Sequence, residues 1–338
     1  MSELLLAPMQ GLTDAAFRLI CFEYGCDGAV TEMIETGTYA TTRKKLGQIE
    51  ETLCRLPGEK WLSVQLIGKV PREMAVCAGR VTDMRRFDAI EVNMGCPARK
   101  VVTGGSGCAL MGHPERAREI LRAVKGSTDL PVHLKIRLGW DEAHENAPEI
   151  AEIAREEGVS RLTVHGRTRT QFYGGEADCE GIRRAIAAFS GEGAANGGVK
   201  GPEDVRPFLE KTGAERVSIG RAALTRPWIF EDARRLEAGK PLCPRDAGER
   251  CELLLRHAKY ACLIHEERTA VVRLRKVTPW YLDGLSGLRE LQAQVNRLET
   301  LDGLRNEVGA FLDRLRATGD LYPHAELTRG TARLSLPG

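Results

Sequence analysis

The chain is predicted to fold as a (β/α)8 TIM barrel followed by a smaller all-helical C-terminal domain. Short apolar runs, often β-branched, alternate with helical patterns from the N-terminus to about residue 238, which is typical of repeated βα units. Eight such runs occur, and eight βα units indicate a closed barrel. A doubly wound open sheet is the alternative for this part of the chain.

The strands are predicted from their apolar composition and from the helical segments that follow most of them. Residues 117–124 and 150–157, for example, carry apolar side chains at three- and four-residue spacing. The seventh strand rests on rhythm alone, because Gly193-Ala194-Ala195 has poor strand propensity. The eight predicted strands are residues 4–9, 29–33, 62–67, 89–93, 132–138, 161–165, 193–196 and 216–219.

The composition changes at residues 240–244, where two prolines end the last barrel helix and suit a linker. We therefore predict a catalytic barrel over residues 1–240, a helical domain over 245–320 and a loose tail over 321–338. In the helical domain, leucine and valine recur at helical spacing from Leu285 onward, with an interruption near Asp302-Gly303. This apolar stripe is interpreted as packing.

Charge and cysteine content exclude several classes of protein. The formal net charge of +2 does not by itself indicate a polyanion partner, and no apolar stretch is long enough to span a bilayer. Ten scattered cysteines without a CxxC pair are expected to be reduced thiols in a cytoplasmic protein. No metal is expected, since a helix would spread the nearest zinc-like pattern over several turns. That pattern comprises Cys251, His257, Cys262 and His265.

The ends of the predicted strands are mostly polar, and the active site of a barrel lies at the carboxyl ends of its strands. Each of these residues also has an ordinary structural interpretation, as a loop cap or a satisfied core residue. Together they suit a polar aromatic cofactor that bears a phosphate. In order they are Pro8-Met9-Gln10, Glu32, Gln65, Asn93 with Cys96, Lys135 with Arg137, His165 with Arg167, Asn196-Gly197-Gly198 and Gly220-Arg221.

Two glycine turns predict where the phosphate binds. Barrels often hold a phosphate between the loops after strands seven and eight, and Asn196-Gly197-Gly198 and Gly220-Arg221 occupy those loops. Arg221 can add a bidentate charged contact, although a tight turn with a solvent-facing arginine is the alternative. Residues 104–107 form a poor Rossmann fingerprint, because no suitable βαβ spacing accompanies them.

One cysteine is a candidate acid or nucleophile. Cys96 lies in Asn93-Met94-Gly95-Cys96-Pro97, a tight turn that directly follows the fourth strand. Its thiol is expected to project from the end of the strand. The alternative is a small buried side chain, since free cysteines are usually buried and inert.

These motifs together resemble the tRNA-dihydrouridine synthase family and, by these motifs, its bacterial B-type branch. Arg275-Lys276-Val277-Thr278-Pro279-Trp280-Tyr281 also resembles the helical domain of the family, although Val277 stands where the family often has histidine. The barrel motifs that carry the resemblance are Ala7-Pro8-Met9, Gln65, Asn93-Met94-Gly95-Cys96-Pro97 with Lys100-Val101, Leu134-Lys135-Ile136-Arg137, Val164-His165-Gly166-Arg167-Thr168-Arg169, Asn196-Gly197, Ile219-Gly220-Arg221-Ala222 and Pro227-Trp228-Ile229-Phe230.

The resemblance implies bound FMN, NADPH as reductant, and reduction of the C5-C6 double bond of specific uridines in tRNA to dihydrouridine. Reduced FMN is then expected to deliver hydride to C6, and Cys96 to give a proton to C5 as a general acid. Such a thiol should stay protonated near neutral pH. Asn93 and Arg137 are expected to orient flavin or uracil, and His165 to lie beside the flavin. The residues implied to hold FMN are Pro8, Met9, Gln10, Gln65, Lys135, Asn196, Gly197, Gly198, Gly220 and Arg221.

Two basic clusters are expected to contact tRNA, with the protein acting as a monomer. Either cluster could instead be a solvated face, and the resemblance favours RNA contact. Trp280 and Tyr281 add aromatic side chains near the second cluster. Arg99, Lys100, Arg167 and Arg169 flank the predicted pocket, and Arg268, Arg273, Arg275 and Lys276 lie in the helical domain.

Three other functions are also compatible with the sequence. A Schiff-base lyase would use Lys135 as its covalent amine and would bind no flavin. An FMN-dependent reductase of a small metabolite would share the phosphate site but would not need the basic helical domain. A noncatalytic tRNA-binding protein would keep its affinity for RNA when Cys96 is replaced.

Overall fold

The structure is a computed structural model that describes residues 2–41 and 46–324. Most of the predicted C-terminal tail, residues 325–338, lies outside the described residues. None of the helices within the described ranges is long and apolar enough to cross a membrane.

Eight parallel strands form a closed barrel in sequence order, as predicted. Pairing of β8 with β1, in which Val217 is in register with Leu4, closes the sheet and rules out the doubly wound alternative. The seventh strand forms although its propensity is poor, because it pairs with strands on both sides. The strands are β1 (Glu3–Leu6), β2 (Gly28–Glu35), β3 (Trp61–Ile67), β4 (Ala89–Met94), β5 (Val132–Arg137), β6 (Arg161–His165), β7 (Glu192–Asn196) and β8 (Arg216–Ile219).

Helices follow the strands and cover the outside of the barrel with amphipathic faces. Two predicted helical segments, residues 117–124 and 150–157, fall in α6 and α7, whose apolar side chains are buried at helical spacing. The helices are α1 (Ala15–Glu23), α2 (Thr36–Thr41), α3 (Leu46–Thr52), α4 (Pro71–Asp83), α5 (Arg99–Thr103), α6 (Pro114–Lys125), α7 (Ala147–Glu156), α8 (Cys179–Phe189), α9 (Val205–Thr212), α10 (Arg221–Thr225), α11 (Ile229–Glu237), α12 (Ala247–Ala261), α13 (Glu267–Tyr281), α14 (Leu288–Val295) and α15 (Leu301–Thr318).

The chain divides into two compact units. The first contains the residues up to Asp14 together with Cys26–Gly220, and so holds all eight strands. The second contains Ala15–Gly25 and the chain from Arg221 onward. Helix α1 belongs to the second unit because it packs there, with the ring of Phe17 6.0 Å from that of His257. The second unit thus includes the chain from Arg221, whereas the predicted linker lies at residues 240–244.

The second unit is helical, as expected for the C-terminal part of the chain. Asp246 caps α12 in a reciprocal hydrogen-bonded box with Glu249, which satisfies backbone donors at the start of the helix. The predicted apolar stripe is buried along α14 and α15. Its interruption, however, lies between Val295 and Leu301 and not at residues 302–303, because Thr300 caps α15 and places Gly303 within its first turn.

The barrel interior contains charged residues at its amino-terminal end. Arg216 approaches Glu3 at 2.6 Å and Glu192 at 3.3 Å, and Arg161 approaches the same two carboxylates at 3.3 and 3.4 Å. These four side chains belong to β1, β6, β7 and β8, so the ion pairs connect the strands at which the barrel closes. The polar residues predicted to form the site lie at the opposite, carboxyl end of the barrel.

Candidate active site at the carboxyl ends of the strands

The turn that bears Cys96 directly follows β4 and is held by side-chain and backbone hydrogen bonds. Asn93 Oδ1 accepts from the backbone N–H groups of Gly95 at 3.0 Å and Cys96 at 2.9 Å. The N–H of Cys108 donates to the carbonyl of Cys96 at 3.0 Å. The Cys96 thiol is half-buried, and burial raises its pKa. The group present at neutral pH is therefore the protonated thiol, as a proton donor requires.

A chain of buried amides runs from this turn into the barrel. Asn93 Nδ2 donates to Gln65 Oε1 at 2.9 Å, and Gln65 Nε2 donates to Glu91 Oε1 at 2.7 Å. All three side chains are buried. The strand register explains their proximity, since Gln65 of β3 is in register with Glu91 of β4.

Lys135 is half-buried beside these amides, because it lies on the neighbouring strand β5 in register with Asn93 of β4. Its ammonium donates to Asn196 Oδ1 at 2.9 Å, and Asn196 Nδ2 donates to the Ser218 carbonyl at 2.6 Å. Burial lowers the pKa of Lys135 to about 8, and the nearby Glu91 opposes this shift. Lys135 is therefore a cation near neutral pH whose proton is held less tightly than that of an exposed lysine.

Arg137 supports the Cys96 turn from the end of β5. Its Nε donates to the Gly95 carbonyl at 2.9 Å, and its Nη1 donates to the carbonyls of Thr168 at 2.9 Å and Phe172 at 2.6 Å. The guanidinium thus connects the loop after β4 with the loop after β6. The Nε and Nη1 donors of the buried guanidinium are therefore engaged by loop carbonyls, which hold the two loops together.

Gly197 allows the loop after β7 to approach β6 closely. Its φ of +104° is in the region that favours glycine, and a Cβ there would lie 2.4 Å from His165 Cδ2. His165 itself is in register with Asn196 and has its Nε2 3.0 Å from Arg167 Nη1. The imidazole is therefore positioned between a glycine turn and a buried arginine.

The side chain of Arg167, for which RNA contact was predicted, is buried. Only 2% of its surface is exposed, and its guanidinium donates to the carbonyls of Gly174, Gly175 and Gly197 at 2.8 to 2.9 Å. Its contacts hold the loop after β6 against the loop after β7. The sequence pattern missed this because basic residues flanking a pocket can either face solvent or bind loop carbonyls.

Of the two predicted phosphate-binding turns, the one at Gly220 lies beside the loop after β1. A Cβ on Gly220 would be 3.7 Å from Met9 Sδ and would meet nothing closer, so this turn leaves space at its surface. Position 198 requires glycine because a Cβ there would lie 2.3 Å from the ring of Phe208. Arg221 is the half-buried first residue of α10.

The loop after β1 is itself ordered by side chains. The Met9 N–H donates to Thr13 Oγ1 at 3.0 Å, and Gln10 Oε1 accepts from the Met33 N–H at 3.0 Å. Pro8 and Met9 are half-buried, whereas Gln10 is exposed.

The remaining basic residues differ in exposure. Arg99 and Lys100 are exposed at the start of α5, and Arg169 lies 4.7 Å from the ring centroid of Trp140. In the second unit, Arg268 pairs with Glu299 at 2.9 Å, and Arg275 donates to the Leu298 carbonyl at 3.0 Å. Along α13, Arg273 is half-buried and Lys276 is exposed, while Val277 is buried. Val277, which stands where the family often has histidine, therefore lies on the packed face of the helix.

Two residues at the carboxyl end of the barrel, Tyr173 and Glu91, were not among the predicted site residues. Tyr173 lies 6.3 Å from His165 between ring centroids and 5.4 Å from the Arg137 guanidinium, and its ring is partly exposed. It belongs to a long loop without periodicity, so no pattern pointed to it. Glu91 could have been found, because it shares the period-two spacing of Asn93 and so faces the same side of β4.

The zinc-like pattern does not form a cluster. His257 Nδ1 lies 3.0 Å from the Tyr281 hydroxyl, a contact that accounts for its burial. Across residues 2–41 and 46–324, no group of three or more histidine, cysteine, aspartate or glutamate side chains could hold a metal ion.

Comparison with known proteins gives a consistent result over nearly the whole chain. Residues 5–316 match the model of the family described as dihydrouridine synthase. The chain is 37% identical over 315 residues to tRNA-dihydrouridine synthase B of Shewanella oneidensis, covering 93% of this chain and 96% of that protein. It is 38% identical over 322 residues to the protein of the same name from Pseudomonas aeruginosa, with 94% and 95% covered.

A further relative and one solved structure agree with the fold. The tRNA-dihydrouridine synthase B of Xanthomonas axonopodis pv. citri is 39% identical over 317 residues, covering 93% of this chain and 94% of that protein. A 2-naphthoyl-CoA reductase in complex with 2-naphthoyl-CoA superposes with a TM-score of 0.53 at 10% identity, over 71% of this chain and 50% of that one. The second likeness is one of fold alone.

Proposed function

The chain belongs to the dihydrouridine synthase family, and on this premise we propose that it reduces specific uridines of tRNA to dihydrouridine with FMN and NADPH. The observation that carries the proposal is the Cys96 turn. Asn93 and Arg137 fix this turn, and burial keeps its thiol protonated at the carboxyl end of the barrel. A positioned thiol that keeps its proton is suited to general acid catalysis.

The residues present fit a flavin mononucleotide. Lys135, Gln65, Asn93, Asn196 and His165 offer a cation, amides and an imidazole at the carboxyl ends of neighbouring strands, a donor set that suits the polar edge of an isoalloxazine ring. The turn at Gly220 has space where a Cβ would meet nothing within 3.7 Å, which is compatible with a phosphate close to the backbone. We infer that Pro8, Met9, Gln10, Gly197, Gly198 and Arg221 complete this site.

The residues of the proposed site then have distinct roles in the reaction. When bound and reduced, the flavin supplies a hydride for C6 of the uracil ring. Cys96 gives its Sγ proton to C5, so the base gains two hydrogens in total and the thiolate is left to be reprotonated. Asn93 and Arg137 hold the turn that carries the thiol, and Lys135 supplies positive charge near the reacting ring. Tyr173 offers an exposed aromatic face beside His165 at the mouth of the barrel.

The proposed reaction also requires that the protein bind tRNA. The target base must leave its stack to reach the barrel, which costs a few kcal/mol that contacts to the RNA backbone offset. Arg99, Lys100, Lys276 and Arg273 are the basic residues proposed to supply part of these contacts. NADPH as the reductant is implied by the family resemblance, and the protein is further proposed to act as a monomer in the cytoplasm.

Family membership favours reduction over Schiff-base chemistry at Lys135. The Lys135 ammonium is engaged by Asn196 Oδ1, which suits a charge-bearing role better than that of a free amine nucleophile.

The test is mass spectrometry of nucleosides from dihydrouridine-free tRNA that has been incubated with the protein, FMN and NADPH. We expect a gain of two hydrogens on uridine, largely lost in Cys96→Ala and retained in Cys179→Ala. Cys179 is a matched control because it is also half-buried, at the start of α8. No gain with wild-type protein that binds both flavin and tRNA would instead indicate a reductase of a small metabolite or a noncatalytic tRNA-binding protein.

A further inference from the structure

Glu91 is a buried carboxyl group at the inner end of the amide chain that leads to Cys96. Its exposed fraction is 3%, and Gln65 and Asn93 are exposed by only 2% and 8%. The three hydrogen-bond steps are short, at 2.7 Å from Gln65 to Glu91, 2.9 Å from Asn93 to Gln65, and 2.9 Å from the Cys96 N–H to Asn93. In such a dry environment, a donor without an acceptor costs more than the bond itself is worth.

The direction of every bond in this chain is set by the backbone of the turn. The N–H groups of Gly95 and Cys96 can only donate, so Asn93 must present Oδ1 to them and Nδ2 to Gln65. Gln65 must then present Oε1 to Asn93 and Nε2 to residue 91. Residue 91 must therefore supply an acceptor.

A carboxyl group meets this requirement in either protonation state, since an ionised or protonated glutamate retains an acceptor oxygen. Burial raises the pKa of Glu91, while Lys135, Gln65 and Arg161 act in the opposite direction. Burial prevails and the pKa of Glu91 is raised, but its acceptor role does not depend on this shift.

We propose that Glu91 is a positioning residue that fixes the amide orientations of Gln65 and Asn93 and thereby holds the turn that carries the Cys96 thiol. It does not need to touch substrate or cofactor. Glu91 acts at a distance of two side chains, through hydrogen bonds that allow only one arrangement. The consequence for catalysis rests on the proposed function, whereas the effect on the turn does not.

Two substitutions separate the acceptor from the charge. Glu91→Gln keeps a side-chain carbonyl that can accept from Gln65 Nε2 but removes the negative charge. Glu91→Met fills a similar volume and offers no acceptor of comparable strength, so Gln65 must either lose a bond or turn over and set its amide donor against that of Asn93.

Hydrogen-deuterium exchange of the purified protein reads out the turn directly, because the N–H groups of Gly95 and Cys96 are protected by Asn93. In Glu91→Met we expect these two amides to exchange about tenfold faster than in the wild type, the effect of weakening one such bond. In Glu91→Gln we expect exchange close to the wild-type rate. The amides of α15, in the second unit, serve as the internal reference and should not change.

Dihydrouridine formation provides the second readout. Glu91→Met should lower kcat with little change in KM for tRNA, and Glu91→Gln should recover most of the loss. A purely structural defect would instead raise exchange across the barrel and lower the content of active protein.

Wild-type exchange at Gly95 and Cys96 in folded Glu91→Met would overturn the proposal. Equal acceleration in Glu91→Gln and Glu91→Met would also overturn it, because the charge and not the acceptor would then matter. If Glu91→Met does not fold, Gln65→Leu interrupts the same chain at its middle and must give the same local acceleration. If the wild-type protein forms no dihydrouridine, the proposed function fails while the exchange measurements still decide the role of Glu91.

Discussion

Lys135 and Cys96 are two titratable residues of the proposed site, and burial shifts the pKa of both. For the thiol, burial disfavours the thiolate and raises the pKa. For the lysine, burial disfavours the ammonium and lowers the pKa to about 8. The proton on Cys96 is therefore retained over a pH range in which the charge on Lys135 is lost.

This difference predicts the alkaline limb of the activity profile. Because the ammonium of Lys135 is present below its pKa, dihydrouridine formation should decline as the pH rises through about 8. Lys135→Arg keeps a positive charge at all accessible pH values, so its residual activity should not show this decline. The check is the rate of dihydrouridine formation with saturating tRNA between pH 6 and 10. An unchanged alkaline limb in Lys135→Arg would assign it to another group.

At the scale of strands and helices, pairing with neighbouring strands allows a strand to form where the local propensity is poor. The rhythm of apolar runs predicted all eight strands, and β7 forms with Gly193, Ala194 and Ala195 because its neighbours supply both sets of hydrogen bonds. Polar residues at the strand ends predicted Gln65, Asn93, Lys135 and His165 at one end of the barrel, since parallel strands end together. These predictions needed only the period of each strand and the direction of the sheet.

Loop geometry and the grouping of helices were less accessible from sequence. The burial of Arg167 depends on where the carbonyls of Gly174 and Gly175 point, and Tyr173 lies near His165 through the path of the same loop. Such paths are set by contacts between loops that are distant in sequence. Likewise, α1 belongs to the second unit because of packing against later helices, which no local pattern records.

The ion pairs at the amino-terminal end of the barrel give a prediction at the same scale. The Arg216 side chain is 14% exposed and pairs with Glu3, Glu192 and the more exposed Glu215, so Arg216→Met leaves three carboxylates without this partner. We expect a loss of about 1 to 2 kcal/mol in the free energy of unfolding, because the carboxylates of Glu3 and Glu192 are only partly exposed to water. The measurement is urea-induced unfolding of the purified protein.

A matched control is Arg206→Met in α9, which removes an arginine from an exposed pair with Glu210. Its effect on the free energy of unfolding should be clearly smaller than that of Arg216→Met, since exposed ion pairs contribute little. Equal losses in Arg206→Met and Arg216→Met would show that the interior pairs do not stabilise the closed barrel.

At the scale of the whole molecule, the barrel unit holds the proposed chemistry and the helical unit holds a basic helix, α13. Basic side chains that contact phosphates contribute to affinity through released counterions and leave the reacting groups unchanged. Replacing both Arg273 and Lys276 with alanine should therefore lower the affinity for tRNA about tenfold. The slope of log affinity against log salt concentration should fall by the equivalent of about two phosphate contacts. The value of kcat at saturating tRNA, and the binding of flavin, should stay near those of the wild type.

The control removes the same number of charges from the outside of the barrel, where no RNA contact is proposed. Arg116 and Lys125 of α6 are both exposed, and replacing both with alanine should leave the tRNA affinity and its salt dependence close to the wild-type values. Affinities measured by filter binding over a range of salt concentrations compare the two double variants directly. If both variants lose affinity equally, the net charge of the protein and not the position of α13 governs binding. If only the α13 variant does so, and kcat is retained, the helical unit recruits tRNA for chemistry performed at the end of the barrel.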